Sequence, residues 1–236
     1  MDESKLRKIA WVGDHILRKP IRGIVLRFQG LGDAAMKDAA SYAELECGDA
    51  GALIVLPYLG PWYWMNRESR AETDEIVESL YKIFKLADDI PLILTGGSLG
   101  GYAALLYARY AKRPVKACYA LFPVTDVKYS FSERPDVART VYSAFRGYKE
   151  DMEALFIEHS PLSQVDKMPR IPYMLVHGAL DVAVSKKAHS DPFVAAMRAR
   201  GHDVTYREVP DLGHQDLNTY ALHREAIDFV KNNLKK

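Results

Sequence analysis

A serine set among glycines is the residue best placed for chemistry in this chain of 236 residues. The sequence GGSLG, residues 96–100, follows an apolar run and precedes an amphipathic segment. A serine on a sharp strand-to-helix turn needs minimal side chains two positions before and after it, because the backbone is tight there. Gly96 and Gly100 meet that need, so the pattern indicates a nucleophilic Ser98 for acyl transfer. A glycine-rich turn with an incidental serine is the alternative.

The elements that must hold this serine are visible as short apolar runs alternating with helical patterns. Each run has four to eight residues rich in Val, Ile, Leu or Tyr, as buried parallel strands have. Segments with one apolar face lie between the runs, for example residues 74–87 and 99–113. This alternation predicts a mostly parallel sheet with helices on both faces, in a single domain of residues 1–236. The runs are 21–28, 52–57, 91–95, 115–122, 172–176 and 204–209.

One interval between predicted strands is longer than a simple connection requires. Residues 123–171 span far more than the roughly 20–25 residues that a helix with two short loops would take. The surplus contains two predicted helices, residues 137–145 and 150–158, and several aromatic residues. We expect a small helical cap over one end of the sheet. An ordinary packed excursion is the open alternative.

Three segments carry a resemblance to a known family. GGSLGGYAA, residues 96–104, resembles the nucleophile elbow of the α/β-hydrolase superfamily, as found in prolyl-oligopeptidase-like (dienelactone-hydrolase-like) serine hydrolases. HSPLSQVDKMPRIPYMLVHGALDVAVS, residues 159–185, resembles the acid-bearing segment of that group. REVPDLGHQ, residues 207–215, resembles its histidine-bearing segment. The resemblance spans residues 21–233 and implies an α/β-hydrolase fold with a Ser-His-Asp triad.

Seven histidines compete for the role of the base in that triad. The fold orders its triad as nucleophile, acid and histidine, and places the histidine on a loop after the last strand. His214 lies in that position, whereas His202 precedes the run 204–209 and His223 lies within the final helical segment. His177 ends a run directly before a glycine, where we expect a structural role. The resemblance therefore implies His214 as the base.

Two aspartates are candidates for the acid. Asp181 follows the run 172–176, on the loop where the resembling family places its triad acid. Asp126 follows the preceding run, a position that some α/β-hydrolases use instead. We favour Asp181 and keep Asp126 as the second candidate.

The fold also implies two backbone donors for an oxyanion. One is the N–H of Leu99, directly after the nucleophile and at the start of a helix. The other should come from the loop after the first run, where Gln29-Gly30 replaces the usual His-Gly, and we choose the N–H of Leu31. Gly30 and Gly32 could instead serve only a tight turn.

An aromatic loop follows the run 52–57 and holds two of the three tryptophans of the chain. Because loops at the carboxyl edge of a parallel sheet form its ligand crevice, Trp62, Tyr63 and Trp64 are predicted to line a substrate pocket. The alternative, nearly as strong, is a loop that these aromatic side chains anchor onto the cap.

Composition excludes several other classes of function. The 32 basic and 31 acidic residues give a net charge of +1, so no basic surface for nucleic acid or an anionic membrane is expected. Two cysteines indicate a reducing compartment, and no signal peptide or membrane span is visible, so we expect a cytoplasmic protein. HExxH, CxxC and P-loop patterns are absent, so we expect no metal and no cofactor.

The function expected on this basis is hydrolysis of small carboxylic esters through an acyl-enzyme. The resembling peptidases carry a large N-terminal propeller, which the twenty residues before the first run cannot build, so esters are favoured over peptides. A serine peptidase or aminoacyl amidase acting on short peptides is the first alternative. A non-catalytic protein that binds small ligands on a hydrolase scaffold is the second. The expected partner is a small ester or short peptide, and the oligomeric state is open.

Overall fold

A computed structural model describes residues 1–33, 35–214 and 220–235. Its centre is one sheet of seven strands, and the six runs predicted from the sequence are all among them. The strands are β1 Ala10–Val12, β2 Gly23–Phe28, β3 Ala52–Pro57, β4 Leu92–Gly97, β5 Val115–Leu121, β6 Tyr173–Gly178 and β7 Val204–Val209. Their order across the sheet is β1-β3-β2-β4-β5-β6-β7.

All neighbouring strands run parallel except β1, which pairs antiparallel with β3. The prediction of a mostly parallel sheet is therefore confirmed, and β1 is an addition to it. Three residues are too few to show a periodic pattern, so this edge strand could not be predicted from the sequence. Parallel strands end at the same edge of a sheet. The loops that follow β2, β4, β6 and β7 therefore lie at one edge.

Helices cover both faces of the sheet, as predicted. One face packs against α1, α3, α4 and α8, and the opposite face packs against α2 and α9. The helices are α1 Glu3–Ile9, α2 Tyr42–Asp49, α3 Arg67–Ile83, α4 Leu99–Tyr110, α5 Val127–Glu133, α6 Pro135–Ala144, α7 Met152–His159, α8 Ser190–Ala199 and α9 Tyr220–Asn233. Two 3₁₀ helices, Asp14–Ile16 and Pro161–Lys167, complete the described elements.

Two helices differ from their predicted bounds by three or more residues at one end or both. Helix α3 starts seven residues before position 74, because the side chain of Asn66 caps it by accepting the N–H of Ser69 at 2.9 Å. Helix α4 ends at Tyr110 instead of residue 113, since the backbone of Ala111 is already extended.

Residues 123–171 fold into three helices and a 3₁₀ helix, one helix more than predicted. The additional helix is α5, and the side chain of Asp126 caps it by accepting the N–H of Tyr129 at 3.0 Å. Helix α6 is tied to the loop before α3, because the indole N–H of Trp64 donates to the hydroxyl of Thr140 at 2.9 Å. The side-chain amide of Asn66 also donates to the carbonyl of Ala144 at 3.0 Å.

Charged side chains fasten the same segment to α3. Arg67 and Arg70 both pair with Glu158 at the end of α7, and Arg67 also pairs with Glu150. The guanidinium of Arg134, between α5 and α6, reaches the loop after β6 and donates to the carbonyl of Ala183 at 3.2 Å. The segment therefore touches loops at the carboxyl edge of the sheet, which is compatible with the predicted cap.

Within the described part of the chain, no helix combines the length and the apolar character that crossing a lipid bilayer requires.

Candidate active site

Ser98 occupies a one-residue turn between β4 and α4. Its backbone angles are φ 58° and ψ −124°, a conformation that residues with a Cβ atom rarely adopt. The turn is held from both sides: the N–H of Ser98 donates to the carbonyl of Leu121 at 2.8 Å, and its carbonyl accepts the N–H of Tyr102 at 3.0 Å. The structure thus places the serine on a sharp strand-to-helix turn.

Glycines around Ser98 are required by close backbone contacts. A Cβ atom on Gly96 would lie 2.3 Å from the carbonyl carbon of Gly100. A Cβ atom on Gly100 would lie 2.3 Å from the carbonyl oxygen of Phe28 at the end of β2. Both distances are far below van der Waals contact, and both neighbours are backbone atoms that cannot turn aside. The spacing seen in the sequence is therefore a steric requirement of the turn.

Replacing Gly100 by alanine is expected to destabilise the fold by about 1–3 kcal/mol or more, because the added methyl group overlaps the backbone of β2. Gly97→Ala is the matched control, since its Cβ atom would meet only Leu121 at an ordinary 3.7 Å. Urea denaturation measures both variants. Equal midpoints for the two variants would show that the turn can open to accept a side chain at position 100.

His214 lies on the loop after β7, and its side chain contacts Ser98. Its Nε2 atom lies 2.9 Å from Oγ of Ser98, and its Nδ1 atom lies 2.7 Å from Oδ2 of Asp181. The first distance permits transfer of the hydroxyl proton to the ring, and the second fixes the ring orientation. The structure thus brings Ser98, His214 and Asp181 into one continuous hydrogen-bonded chain.

Asp181 is the aspartate that meets His214, and its carboxylate is completely buried. Its Oδ1 atom accepts the N–H groups of Ala183 at 2.9 Å and of Val184 at 2.8 Å. Burial of the carboxyl raises its pKa, but hydrogen bonds from His177, His214 and the N–H of Val184 outweigh this, so the pKa lies well below its usual range. The side chain of Asp181 therefore stays ionised at neutral pH.

Asp126, the second candidate for the acid, has a different role in the structure. Its carboxylate caps α5. Among the described residues it makes no hydrogen bond or ion pair with His214, and the N–H of Asp126 itself lies 3.3 Å from Nδ1 of His189. The geometry therefore supports Asp181 over Asp126.

Phe122 is a site residue that sequence reasoning missed. It follows β5 with φ 43°, is completely buried, and packs its ring against two imidazoles. The ring centroids lie 5.5 Å from His177 and 5.7 Å from His214. No spacing or motif marks this phenylalanine, because its importance comes from where β5 ends relative to the neighbouring loops.

The two backbone N–H groups predicted as oxyanion donors have different hydrogen-bonding from their neighbours. In the loop after β2, the N–H of Gly30 donates to Asp33 at 3.0 Å, and that of Gly32 donates to Pro61 at 3.0 Å. The N–H of Leu31 has no acceptor among the described residues. Neither does that of Leu99, which lies in the first turn of α4, where no intrahelical acceptor exists. The N–H groups predicted as oxyanion donors therefore have no hydrogen-bond acceptor among the described residues.

The aromatic loop divides into one exposed and two buried side chains. Trp62 is 43% exposed, whereas Tyr63 is 4% and Trp64 is 1% exposed. The hydroxyl of Tyr63 donates to the carbonyl of Gln29 at 2.8 Å, so this side chain supports the loop that holds Leu31. Burial favours anchoring over pocket lining for Tyr63 and Trp64, contrary to the prediction that all three line a pocket. Trp62 remains available to contact a ligand.

No group of three or more metal-ligating side chains lies together in the residues that the structure describes. Buried Cys47 has a raised pKa of about 12, because burial disfavours the thiolate. Burial likewise raises the pKa of Cys118. Neither cysteine is therefore poised to act as a nucleophile.

Comparison with known proteins relates the chain to a family and to solved structures. Residues 72–236 match the model of the prolyl oligopeptidase family. No curated protein matches the sequence significantly. The uncomplexed acylaminoacyl peptidase of Pyrococcus horikoshii is similar with a TM-score of 0.78 and 16% identity over 96% of this chain and 39% of that one.

Two smaller proteins have the same architecture. An S-formylglutathione hydrolase from Agrobacterium tumefaciens has a TM-score of 0.74 and 16% identity, over 95% of this chain and 88% of that one. A lipase in its open form has a TM-score of 0.67 and 15% identity, over 94% and 93%. The chain spans about two fifths of the length of the acylaminoacyl peptidases that it resembles. These likenesses establish the predicted α/β-hydrolase fold.

Proposed function

The chain belongs to the prolyl oligopeptidase family of serine hydrolases, and we propose that it cleaves small carboxylic esters through an acyl-enzyme intermediate. The observation that carries the proposal is the hydrogen-bonded chain from Ser98 through His214 to Asp181. A serine hydroxyl is a weak nucleophile alone, and an oriented imidazole within hydrogen-bond distance is what activates it.

Acylation begins at Oγ of Ser98. As Oγ forms a bond to the ester carbonyl carbon, its proton passes to Nε2 of His214. Asp181 holds the Nδ1–H tautomer of the ring and stabilises the imidazolium that forms. The carbonyl oxygen becomes an oxyanion, and we assign the N–H groups of Leu31 and Leu99 as its donors.

The tetrahedral intermediate then collapses. The bond to the alcohol oxygen breaks, and the proton on Nε2 of His214 passes to that oxygen. A water molecule attacks the acyl-enzyme in the same way, with His214 as general base, and releases the carboxylic acid and Ser98.

Small substrates are favoured by the walls of the site. Residues 123–171 are attached to the loop before α3 by a buried hydrogen bond and to α3 itself by ion pairs, and Arg134 attaches them to the loop of Asp181. Exposed apolar side chains lie on two loops that follow strands of the sheet: Trp62 on the aromatic loop, and Leu180 and Val182 on either side of Asp181. A short apolar acyl or alcohol group fits such surroundings better than an extended peptide.

Short-chain and aromatic esters are therefore expected to have a higher kcat/KM than aminoacyl amides and long peptides. A panel of p-nitrophenyl esters, aminoacyl p-nitroanilides and an unlabelled long peptide measures this with the purified protein. Ser98→Ala serves as the control for background hydrolysis. Efficient cleavage of the long peptide would contradict the proposed substrate class.

A peptidase acting on short peptides is the second candidate, favoured by the family match itself. Aminoacyl p-nitroanilides turned over faster than every ester would support it. A protein that binds these compounds but turns over none of them would instead be a ligand-binding protein on a hydrolase scaffold.

A further inference from the structure

A second imidazole contacts the proposed triad acid. Nε2 of His177, at the end of β6, lies 3.3 Å from Oδ2 of Asp181, the same oxygen that His214 contacts at 2.7 Å. His177 is completely buried. The carboxylate of Asp181 thus meets two imidazoles at Oδ2 and two backbone N–H groups at Oδ1.

The hydrogen bonds of His177 determine which of its nitrogens carries a proton. Nε2 also lies 2.9 Å from the carbonyl oxygen of Val184. A carbonyl and a carboxylate can only accept, so Nε2 must be protonated. Its N–H donates to the carbonyl of Val184 and makes a longer contact, at 3.3 Å, with Oδ2 of Asp181. Nδ1 lies 2.7 Å from Oγ of Ser190, which donates to it when the ring is neutral. The Nε2–H group of His177 therefore faces Asp181, and Nε2 cannot accept a proton from it.

The surroundings keep the ring of His177 in this orientation. Ser190 begins α8 and is fully buried, and the ring of Phe122 packs edge-on against His177. The other charged or titratable groups nearby come from the acid loop, the histidine loop and the start of α8. They are Asp181, His214, His189, Asp191 and its partner Lys186.

We propose that His177 is a positioning residue, which holds Oδ2 of Asp181 against His214 and withdraws part of the negative charge that His214 meets. This inference rests on the proposed function. Without this Nε2–H group, Oδ2 would be held by His214 alone while Oδ1 stays bonded to Ala183 and Val184, and the negative charge on Oδ2 would be greater. Turnover should fall because His214 is less well oriented. The imidazolium should form more readily, which moves the acid limb of the pH profile to higher pH.

Two near-isosteric variants separate the donor from the rest of the ring. His177→Gln keeps an amide N–H near the position of Nε2, whereas His177→Asn places its amide near Nδ1, out of reach of Asp181. We expect His177→Asn to lower kcat by about 10–100-fold with little change in KM, as when other hydrogen-bonding groups that orient a reacting side chain are lost. His177→Gln should stay within about threefold of the wild type.

The pH dependence of kcat/KM provides the readout that a merely structural residue would not move. The acid limb should shift to higher pH in His177→Asn and stay near the wild type in His177→Gln. His159→Gln is the matched control, because His159 is equally buried and its Nδ1 contacts the carbonyl of Leu155 at 2.9 Å, away from the triad. We expect His159→Gln to change the stability of the protein but neither kcat nor the position of the acid limb. Equal losses for Gln and Asn with an unmoved limb would overturn the proposal.

A measurement on the unmodified protein keeps the test valid if a variant fails to fold. Histidine ¹⁵N chemical shifts distinguish protonated from unprotonated ring nitrogens, and His177→Gln or sequential assignment identifies the resonance. We expect a protonated Nε2 in His177. A proton on Nδ1 alone would overturn the proposal. A wild type that turns over no ester or amide would instead contradict the proposed function. The ¹⁵N shifts would still show whether Nε2 of His177, which faces Asp181, carries the proton.

Discussion

Replacing Ser98 by alanine is expected to abolish covalent labelling by a fluorophosphonate and to lower kcat by about 10⁶-fold, as loss of the nucleophile does in a serine protease. The reagent reacts readily only with an activated serine, and the 2.9 Å contact with His214 is the proposed source of that activation. Intact-mass spectrometry should show one adduct on the wild type, and peptide mapping should locate it at Ser98.

The same variant also tests the proposed assignment against a simple binding role. Alanine removes one oxygen atom from a turn whose backbone bonds to Leu121 and Tyr102 remain, so the fold should persist. Circular dichroism of Ser98→Ala verifies this. Labelling or ester hydrolysis equal to the wild type would show that Ser98 is not the nucleophile.

Asp181→Asn is expected to lower kcat by about 10⁴-fold, by analogy with the serine-protease triad. The carboxylate stabilises the ring tautomer with the proton on Nδ1, whereas an amide N–H facing Nδ1 stabilises the opposite one. That tautomer cannot accept the proton of Ser98. In the wild type, kcat/KM should rise with pH through a single ionisation, because only the neutral imidazole is a base.

Asp126→Asn is the matched control for this substitution. Asparagine caps helices about as well as aspartate, so α5 should persist and both kcat and stability should stay near wild-type values. Steady-state kinetics on both variants with one chromogenic ester decide between the two aspartates. A larger loss of kcat in Asp126→Asn would show that the acid is Asp126 and not Asp181. Mild losses in both variants would refute the proposed triad.

The elements that could be predicted from the sequence are those whose pattern is local. The parallel strands were visible as apolar runs, and the turn of Ser98 was visible because contacts within a few residues demand Gly96 and Gly100. The positions of His214 and Asp181 followed from chain order in a resembling family. The structure then places both within hydrogen-bond distance of their expected neighbours.

Features that depend on long-range packing escaped prediction. β1 is a strand only because β3 pairs with it, and its three residues carry no pattern of their own. Trp64 is buried because Thr140, 76 positions away, accepts its N–H. His177 was expected to be structural, since nothing within its own strand shows that the carboxylate of Asp181 turns back toward it.

The backbone of Ser98 has a further consequence for how this chain balances activity against stability. Holding a residue with a Cβ atom at φ 58° and ψ −124° lowers the free energy of unfolding by on the order of 1–3 kcal/mol. That is a sizeable share of the roughly 5–15 kcal/mol by which a domain of this kind stays folded. Glycine adopts such angles freely, so Ser98→Gly would relieve the strain while removing the hydroxyl. At this position the residue that the backbone favours and the residue that the proposed mechanism requires are different, and the chain has the second.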